Sequence, residues 1–146
     1  MSCTEIRVTR LSGFAEAKKF KKKEEKPLES KAKALEAAKT AMGKKAGDVL
    51  ILELKNLSII ADYFVICSGE STTQVKAIFG AIEENFSMRR IRPIGIEGLN
   101  HGRWVLMDYG DVIIHIFEKE TRMYYQLEKL WLDAPRIPVE EKGYHR

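Results

Sequence analysis

Three side chains of metal-binding type lie close together in the apolar stretch RWVLMDYGDVIIHIF, residues 103–117. Asp108 and Asp111 flank a Tyr-Gly pair, and His115 follows four residues later. Carboxylates and imidazole nitrogens are common ligands of catalytic metal ions. Whether these three groups can share one ion depends on the elements that carry them.

The stretch predicts a β-hairpin, because Tyr109-Gly110 suits a two-residue turn in which glycine supplies a positive φ. Such a turn predicts three cross-strand pairs: Asp108 with Asp111, Leu106 with Ile113, and Trp104 with His115. His115 then lies about 13 Å along the ladder from the aspartates, too far to share one ion with them. A longer loop would shift this pairing. We therefore expect neither a metal site nor a cofactor here.

Alternation along the two strands separates the hairpin into two faces. One face is apolar and should be core: Val105, Met107, Val112, Ile114 and Ile116. The other face is mixed: Trp104, Leu106, Asp108, Asp111, Ile113 and His115. Burying charged groups without partners is costly, so the mixed face is expected to be half-exposed. A tryptophan on such a face is typical of a macromolecular binding surface. Alternatively, Trp104 packs under the last helix and a neighbour satisfies His115.

A second candidate for chemistry is the sequence Ser68-Gly-Glu-Ser71, which precedes a predicted helix. Helix N-terminal amides can bind phosphate, but no P-loop lysine pattern is present and Glu70 would repel an anion. Ser71 followed by Gln74 instead predicts a capping box. No nucleophile triad can be assembled, and Cys67 in an apolar strand is expected to be inert. We therefore expect a protein that is not an enzyme.

The spacing of apolar residues predicts the elements that carry these side chains. A helix after Pro27 should bury Leu28, Ala32, Leu35, Ala38 and Met42. Strands are predicted at 48–54, 62–67 and 92–97, in addition to the hairpin. The central helix should bury Val75, Ile78, Phe79, Ile82 and Phe86. The last helix, 120–131, should bury Met123, Tyr124, Leu127, Leu130 and Trp131. This order predicts an α/β or α+β domain, with helices packed on a mixed sheet of about five strands.

The charge is distributed unevenly along the chain. Residues 1–47 carry 13 Lys/Arg and 6 Asp/Glu, which gives +7, whereas residues 48–146 carry 12 and 15, which gives −3. We interpret residues 1–26 as a basic arm, 27–134 as one domain and 135–146 as a polar tail. The arm is either simply solvated or contacts RNA, and the candidates for that contact are Lys19, Lys21, Lys22 and Lys23.

The chain contains no apolar run long enough to span a membrane and no secretory signal, so we expect neither a membrane partner nor secretion. Two free cysteines indicate a reducing compartment. Glu5 and Glu16 make an organelle-targeting segment a weak alternative. The cytoplasm is therefore the expected location.

Four segments together resemble the Iojap-like ribosomal silencing factors: ADYFVICSGESTTQV (61–75), PIGIEG (93–98), WVLMDYGDVIIHIF (104–117) and ETRMYYQLEKLW (120–131). The resemblance implies a nucleotidyltransferase-like scaffold and a homodimer. It also implies binding to the large ribosomal subunit through its fourteenth protein, which blocks joining with the small subunit and represses translation. Such factors are cytoplasmic in bacteria, and related proteins occur in mitochondria and chloroplasts. Catalytic members of the scaffold carry Asp-x-Asp on the strand that here holds only Glu97.

The face and the resemblance together predict a ribosomal-protein-binding site at Trp104, Leu106, Asp108, Asp111 and His115. Ribosomal RNA near that site is the expected partner of the basic arm. A nucleotide-binding or nucleotidyltransferase-like enzyme on the same scaffold is the competing class. A general RNA-binding adaptor, based on the arm alone, is the third.

Overall fold

The structure is a computed structural model that describes residues 28–139, which form a mixed six-stranded sheet with helices packed on it. In chain order the elements are α1 (Ser30–Gly43), β1 (Gly47–Glu53), β2 (Tyr63–Gly69), α2 (Thr72–Met88), β3 (Gly95–Glu97), β4 (Trp104–Asp108), β5 (Val112–Glu118), α3 (Lys119–Tyr125), a 3-10 helix (Leu127–Trp131) and β6 (Arg136–Ile137). The predicted α/β class is confirmed. Predictions for the arm, including those for Lys19, Lys21, Lys22 and Lys23, lie outside the described residues.

The strand order is β3-β4-β5-β2-β1-β6. β2 and β5 are parallel neighbours at the centre, and every other pair is antiparallel. All seven residues of β2 are buried, as expected for an apolar strand with both faces covered. β3 is an edge strand that begins two residues after Pro93, which has no N–H to donate to a ladder. The sheet has one strand more than predicted, because β6 pairs with β1 inside the segment expected as a tail.

The helices α1 and α2 cover one face of the sheet. α2 buries all five residues predicted for it, and its N-cap is Ser71, whose Oγ accepts a hydrogen bond from the Gln74 N–H. In α1 the predicted stripe is correct only for Ala38, since the fully buried positions are Ala34, Ala37, Ala38 and Ala41. Small side chains let the α1 backbone approach the sheet closely, whereas Leu35 lies at the margin of the core.

The hairpin register differs from the prediction by two residues. Asp108 pairs with Ile113, and Trp104 pairs with Phe117. The turn lies one residue further along than predicted, at Gly110-Asp111, and Tyr109 N–H donates to the Val112 carbonyl oxygen at 2.9 Å. Asp108 Oδ1 accepts a hydrogen bond from Gly110 N–H at 2.8 Å, and Gly110 has φ +92°. A shift of two residues keeps the side chains of β4 and β5 on their predicted faces. The five apolar residues of the predicted core face are accordingly fully buried.

The last helix is shorter than predicted. α3 ends at Tyr125, Gln126 takes a left-handed conformation with φ 49°, and a 3-10 helix follows. The break turns Leu127 and Trp131 onto the second face of the sheet, where Trp131 packs against Phe64. The prediction that Met123, Tyr124 and Leu130 are buried is wrong, because all three lie exposed.

Candidate protein-binding surface

The second face of the sheet is only partly covered. The segment after α3 packs over β1 and β2 through Leu127, Trp131 and Ala134, whereas β4 lies at the margin. Five residues form the accessible part, which we call the open face: Trp104, Leu106 and Asp108 of β4, with Tyr124 and Tyr125 of α3. The three β4 residues are half-buried, and the two tyrosines are exposed. The structure therefore brings three of the five predicted site residues together on one accessible surface.

One side of the Trp104 ring packs against neighbouring side chains, and the other side is accessible. Its Nε1 donates a hydrogen bond to His115 Nδ1 at 3.1 Å, and its ring centroid lies 4.7 Å from that of Phe117 and 5.0 Å from that of Tyr125. These contacts fix the indole, while one side lines a shallow cavity of about 360 Å³ that it shares with Tyr124 and Tyr125. Trp104 is thus half-exposed and also packs against the last helix, whereas its role in binding stays a prediction.

His115 lies behind Trp104 and is only 4% exposed, so the expectation of an accessible histidine on this face is wrong. Its ring packs against Phe64, with centroids 4.6 Å apart. Burial lowers the pKa of His115 from 6.5 to about 4, so the imidazole is neutral. Because Nδ1 accepts from Trp104, Nε2 carries the proton, and no acceptor for it occurs within residues 28–139. His115 can support Trp104, but it cannot contact a partner directly.

The two aspartates point to different neighbours. Asp108 accepts a hydrogen bond within its own loop and lies half-buried at one end of the open face. Asp111 accepts a hydrogen bond at 2.9 Å from Lys33 Nζ and so ties the hairpin loop to α1 on the opposite side of the sheet. The predicted pairing of Asp108 with Asp111 therefore does not occur. Asp108 lies at the opposite end of β4 from Trp104, about 13 Å along the strand. The carboxylates of Glu118 and Glu120 line the cavity beside Trp104.

The groups that could support catalysis are occupied or buried. At the start of α2, Glu70 N–H donates to Gln74 Oε1 and Gln74 N–H donates to Ser71 Oγ, so capping uses amides that could otherwise bind phosphate. Burial raises the pKa of the Cys67 thiol to about 12. In the described part of the chain, no three His, Cys, Asp or Glu side chains are grouped to hold a metal ion. None of the helices between residues 28 and 139 is both long and apolar enough to cross a membrane.

Sequence reasoning missed the two tyrosines of the open face. Tyr124 is 81% exposed and Tyr125 is 54% exposed, yet helical spacing placed Tyr124 in the core. A weak signal was present in the Tyr-Tyr pair itself, since adjacent residues of a helix cannot both face the core. Recognising it required knowing that the helix stops at residue 125.

The sequence profile of a family described as "Ribosomal silencing factor during starvation" matches residues 27–145. The chain belongs to this family. A ribosomal silencing factor of Bacillus subtilis is 46% identical over 104 residues, which cover 71% of this chain and 88% of that protein. The chloroplast protein Iojap of Arabidopsis thaliana is 33% identical over 120 residues, which cover 81% of this chain and 50% of that protein.

The fold is shared as well. A crystal structure of a Bacillus halodurans protein superimposes with a TM-score of 0.63 at 40% identity, covering 70% of this chain and 93% of that one. The resemblance predicted from the four sequence motifs is therefore confirmed. Membership assigns the chain to a ribosome-associated family of translational repressors. The partner and the surface that binds it do not follow from membership alone.

Proposed function

We propose that this protein binds the large ribosomal subunit through its fourteenth protein and sterically blocks joining with the small subunit, which represses translation. The proposal rests on one observation, the open face. There a tryptophan fixed by a hydrogen bond and two ring contacts stands beside two exposed tyrosines. Bulk alone produces the block, so the function needs neither a metal nor a cofactor.

The composition of the open face suits a protein partner. Tyrosine and tryptophan dominate the energy of protein interfaces, because they bury a large area at a small cost in side-chain entropy. A rigid anchor loses less freedom on binding, and the contacts of Trp104 supply that rigidity. Asp108 adds a charge that favours a basic partner, and residues 48–146 carry a net charge of −3, from 12 cations and 15 anions. Ribosomal proteins, which lie against RNA phosphates, are basic partners of this kind.

The experiment is sedimentation of the protein with purified large subunits, followed by addition of small subunits. Leu106→Arg places a cation in the middle of the open face and should repel a basic partner. Met88→Arg introduces the same change at an exposed apolar residue at the end of α2. We expect Leu106→Arg to weaken large-subunit binding at least about tenfold and to restore joined ribosomes. Met88→Arg should behave as the wild type does.

Equal binding by the two folded variants would mean that the open face is not the interface. Trp104→Ala is a less selective test, since removing the indole also takes away the hydrogen bond to His115 and two ring contacts. If the wild type binds no large subunit, the competing nucleotide-binding function gains weight, and magnesium-dependent nucleotide binding should then be measured.

The basic arm and a homodimer belong to the same proposal. If Lys19, Lys21, Lys22 and Lys23 contact ribosomal RNA, deletion of residues 1–26 should reduce the dependence of binding on salt concentration. An unchanged salt dependence would identify the arm as a passive tail.

For the dimer, the exposed apolar residues Ile59 and Ile60 of the β1–β2 connection are the candidate contacts. Replacing both with lysine should then yield a monomer by light scattering, whereas an unchanged mass would exclude this contact.

We propose action wherever the ribosomes that it binds are located. For a bacterial chain this is the cytoplasm, and for a eukaryotic chain it is the mitochondrion or plastid.

A further inference from the structure

A second concave site lies on the other side of α3 from the open face. It is a cavity of about 500 Å³ between the start of β1, the end of β2 and the segment from α3 to β6. We call it the cationic cavity, because Lys119, Arg122, Lys129 and Arg136 line it together with Asp48 and Glu128. Four cations against two carboxylates leave an excess of two positive charges.

Arg122 is the fixed centre of the cationic cavity. It is only 8% exposed, and its Nη1 donates to the Asp48 carbonyl oxygen and to Ser68 Oγ, each at 2.8 Å. Its Nε donates to Glu128 Oε2 at 3.2 Å. Nη2 takes part in none of these bonds. A guanidinium that is held in one orientation, and whose remaining nitrogen makes none of these bonds, can donate to an anion without reorganising.

The cations around Arg122 are exposed and available. Lys129 and Arg136 form no ion pair with any carboxylate between residues 28 and 139. Lys119 lies 4.0 Å from Glu70, but both side chains are more than half exposed, so water screens this contact. A charge cluster of this kind repels itself when empty and gains most from a multiply charged anion.

The backbone of the cationic cavity is strained at two places. Asp48 has φ 45° and Gln126 has φ 49°, and both residues line the cavity. Left-handed conformations are uncommon in residues other than glycine and concentrate at ligand sites. At Asp48 the result is visible, since its carbonyl oxygen reaches Arg122 Nη1.

We propose that the cationic cavity binds a phosphate group, either of a free nucleotide or of an RNA backbone. A phosphate supplies up to two negative charges and several acceptor oxygens, which match the charge excess and the donors of Arg122, Lys129 and Arg136. The site is distinct from the α2 N-terminus, whose capping bonds are already made. It is also independent of the open face.

The test measures binding of three probes to the isolated full-length chain by calorimetry: pyrophosphate, GTP and a short single-stranded RNA. The test variant is Lys129→Gln with Arg136→Gln. The matched control is Lys31→Gln with Lys39→Gln, which removes two exposed charges from α1. A third variant replaces Lys19, Lys21, Lys22 and Lys23 with glutamine, which separates the arm from the cavity.

We expect the test variant to bind phosphate probes at least about tenfold more weakly, and the α1 control to bind within about twofold of the wild type. Loss confined to pyrophosphate and GTP would identify a free nucleotide as the source of the phosphate. Loss of affinity confined to RNA would identify the RNA backbone as the source of the phosphate. The proposal is overturned if no probe binds at millimolar concentration, if the α1 control loses as much affinity, or if the arm variant alone abolishes binding. Ribosomes are absent throughout, so the outcome does not depend on the proposed silencing function.

Discussion

Lowering the pH should destabilise this protein through His115. The imidazole is buried among Phe64, Phe117 and Trp104, and its pKa falls from 6.5 to about 4 because burial disfavours the charged form. The unfolded chain therefore takes up this proton at a higher pH than the folded chain does. The stability that a neutral His115 provides is present above pH 6.5 and is lost as the pH falls from there towards 4.

The magnitude follows from the pKa shift. The fall of the His115 pKa from 6.5 to about 4, at about 1.4 kcal/mol for each tenfold change in proton affinity, corresponds to a total loss of roughly 3 kcal/mol once the pH is well below 4. At about pH 5 the linkage relation gives a loss of roughly 2 kcal/mol relative to about pH 7.5. Such a loss is a large fraction of the 5–15 kcal/mol that is typical of a domain.

Urea unfolding at about pH 7.5 and about pH 5 measures this loss directly. Acidification changes the stability through the rest of the chain as well, so the informative quantity is the difference between the wild type and His115→Phe. The variant is expected to be less stable at neutral pH, because Trp104 Nε1 loses its acceptor, but to lose roughly 2 kcal/mol less on acidification. Parallel pH profiles of the two proteins would refute the argument that His115 is buried and neutral.

Three further predictions concern the scaffold. Ser71→Ala should reduce the free energy of unfolding by about 1 kcal/mol, because Gln74 N–H loses its acceptor, whereas Ser87→Ala on the exposed end of α2 should cost almost nothing. Gly98→Ala should be strongly destabilising or prevent folding, because the added Cβ would lie 2.0 Å from the Trp104 carbonyl oxygen and Gly98 has φ +83°. Gly80→Ala in α2 should instead stabilise the protein by roughly 0.5 kcal/mol or more, because the added Cβ would meet no atom within 4 Å. Thermal unfolding distinguishes the two, and a tolerated Gly98→Ala would contradict the close approach of β4. The Cys67 thiol, whose pKa is raised to about 12, should react with iodoacetamide only after unfolding. Mass spectrometry locates the alkylated residue, and alkylation of Cys67 in the native protein would show that β2 is not buried.

Sequence patterns predicted the parts of this fold whose residues interact locally or share one period. The stripe of α2, the uninterrupted apolar run of β2 and the alternation of the hairpin all required no knowledge of distant residues. The predicted hairpin register was wrong because the turn lies one residue further along, at Gly110-Asp111, where Asp108 Oδ1 accepts from Gly110 N–H; this displacement shifts the pairing by two residues. The side chains of β4 and β5 still lie on their predicted faces because the register shift was an even number of residues.

The remaining features depend on contacts between distant parts of the chain. Neither glycine nor proline marks the end of α3 at Tyr125, and the two residues of β6 form a strand only because β1 offers a partner. Tyr124 is exposed on the open face only because the last helix breaks just after it. Arg122 bonds across 74 residues to Asp48 and across 54 residues to Ser68. No spacing rule along the sequence reveals a site of that kind.

The parallel pairing of β2 with β5 also determines when the molecule can complete its fold during synthesis. The two strands are central neighbours, yet the chain from residue 70 to residue 111 separates them. A growing chain that ends before β5 has one side of β2 without its partner, and an apolar strand with an open edge readily joins other chains. The central sheet can close only after residue 118 has left the ribosomal tunnel, so late stalling or premature termination should produce aggregates rather than a shortened repressor.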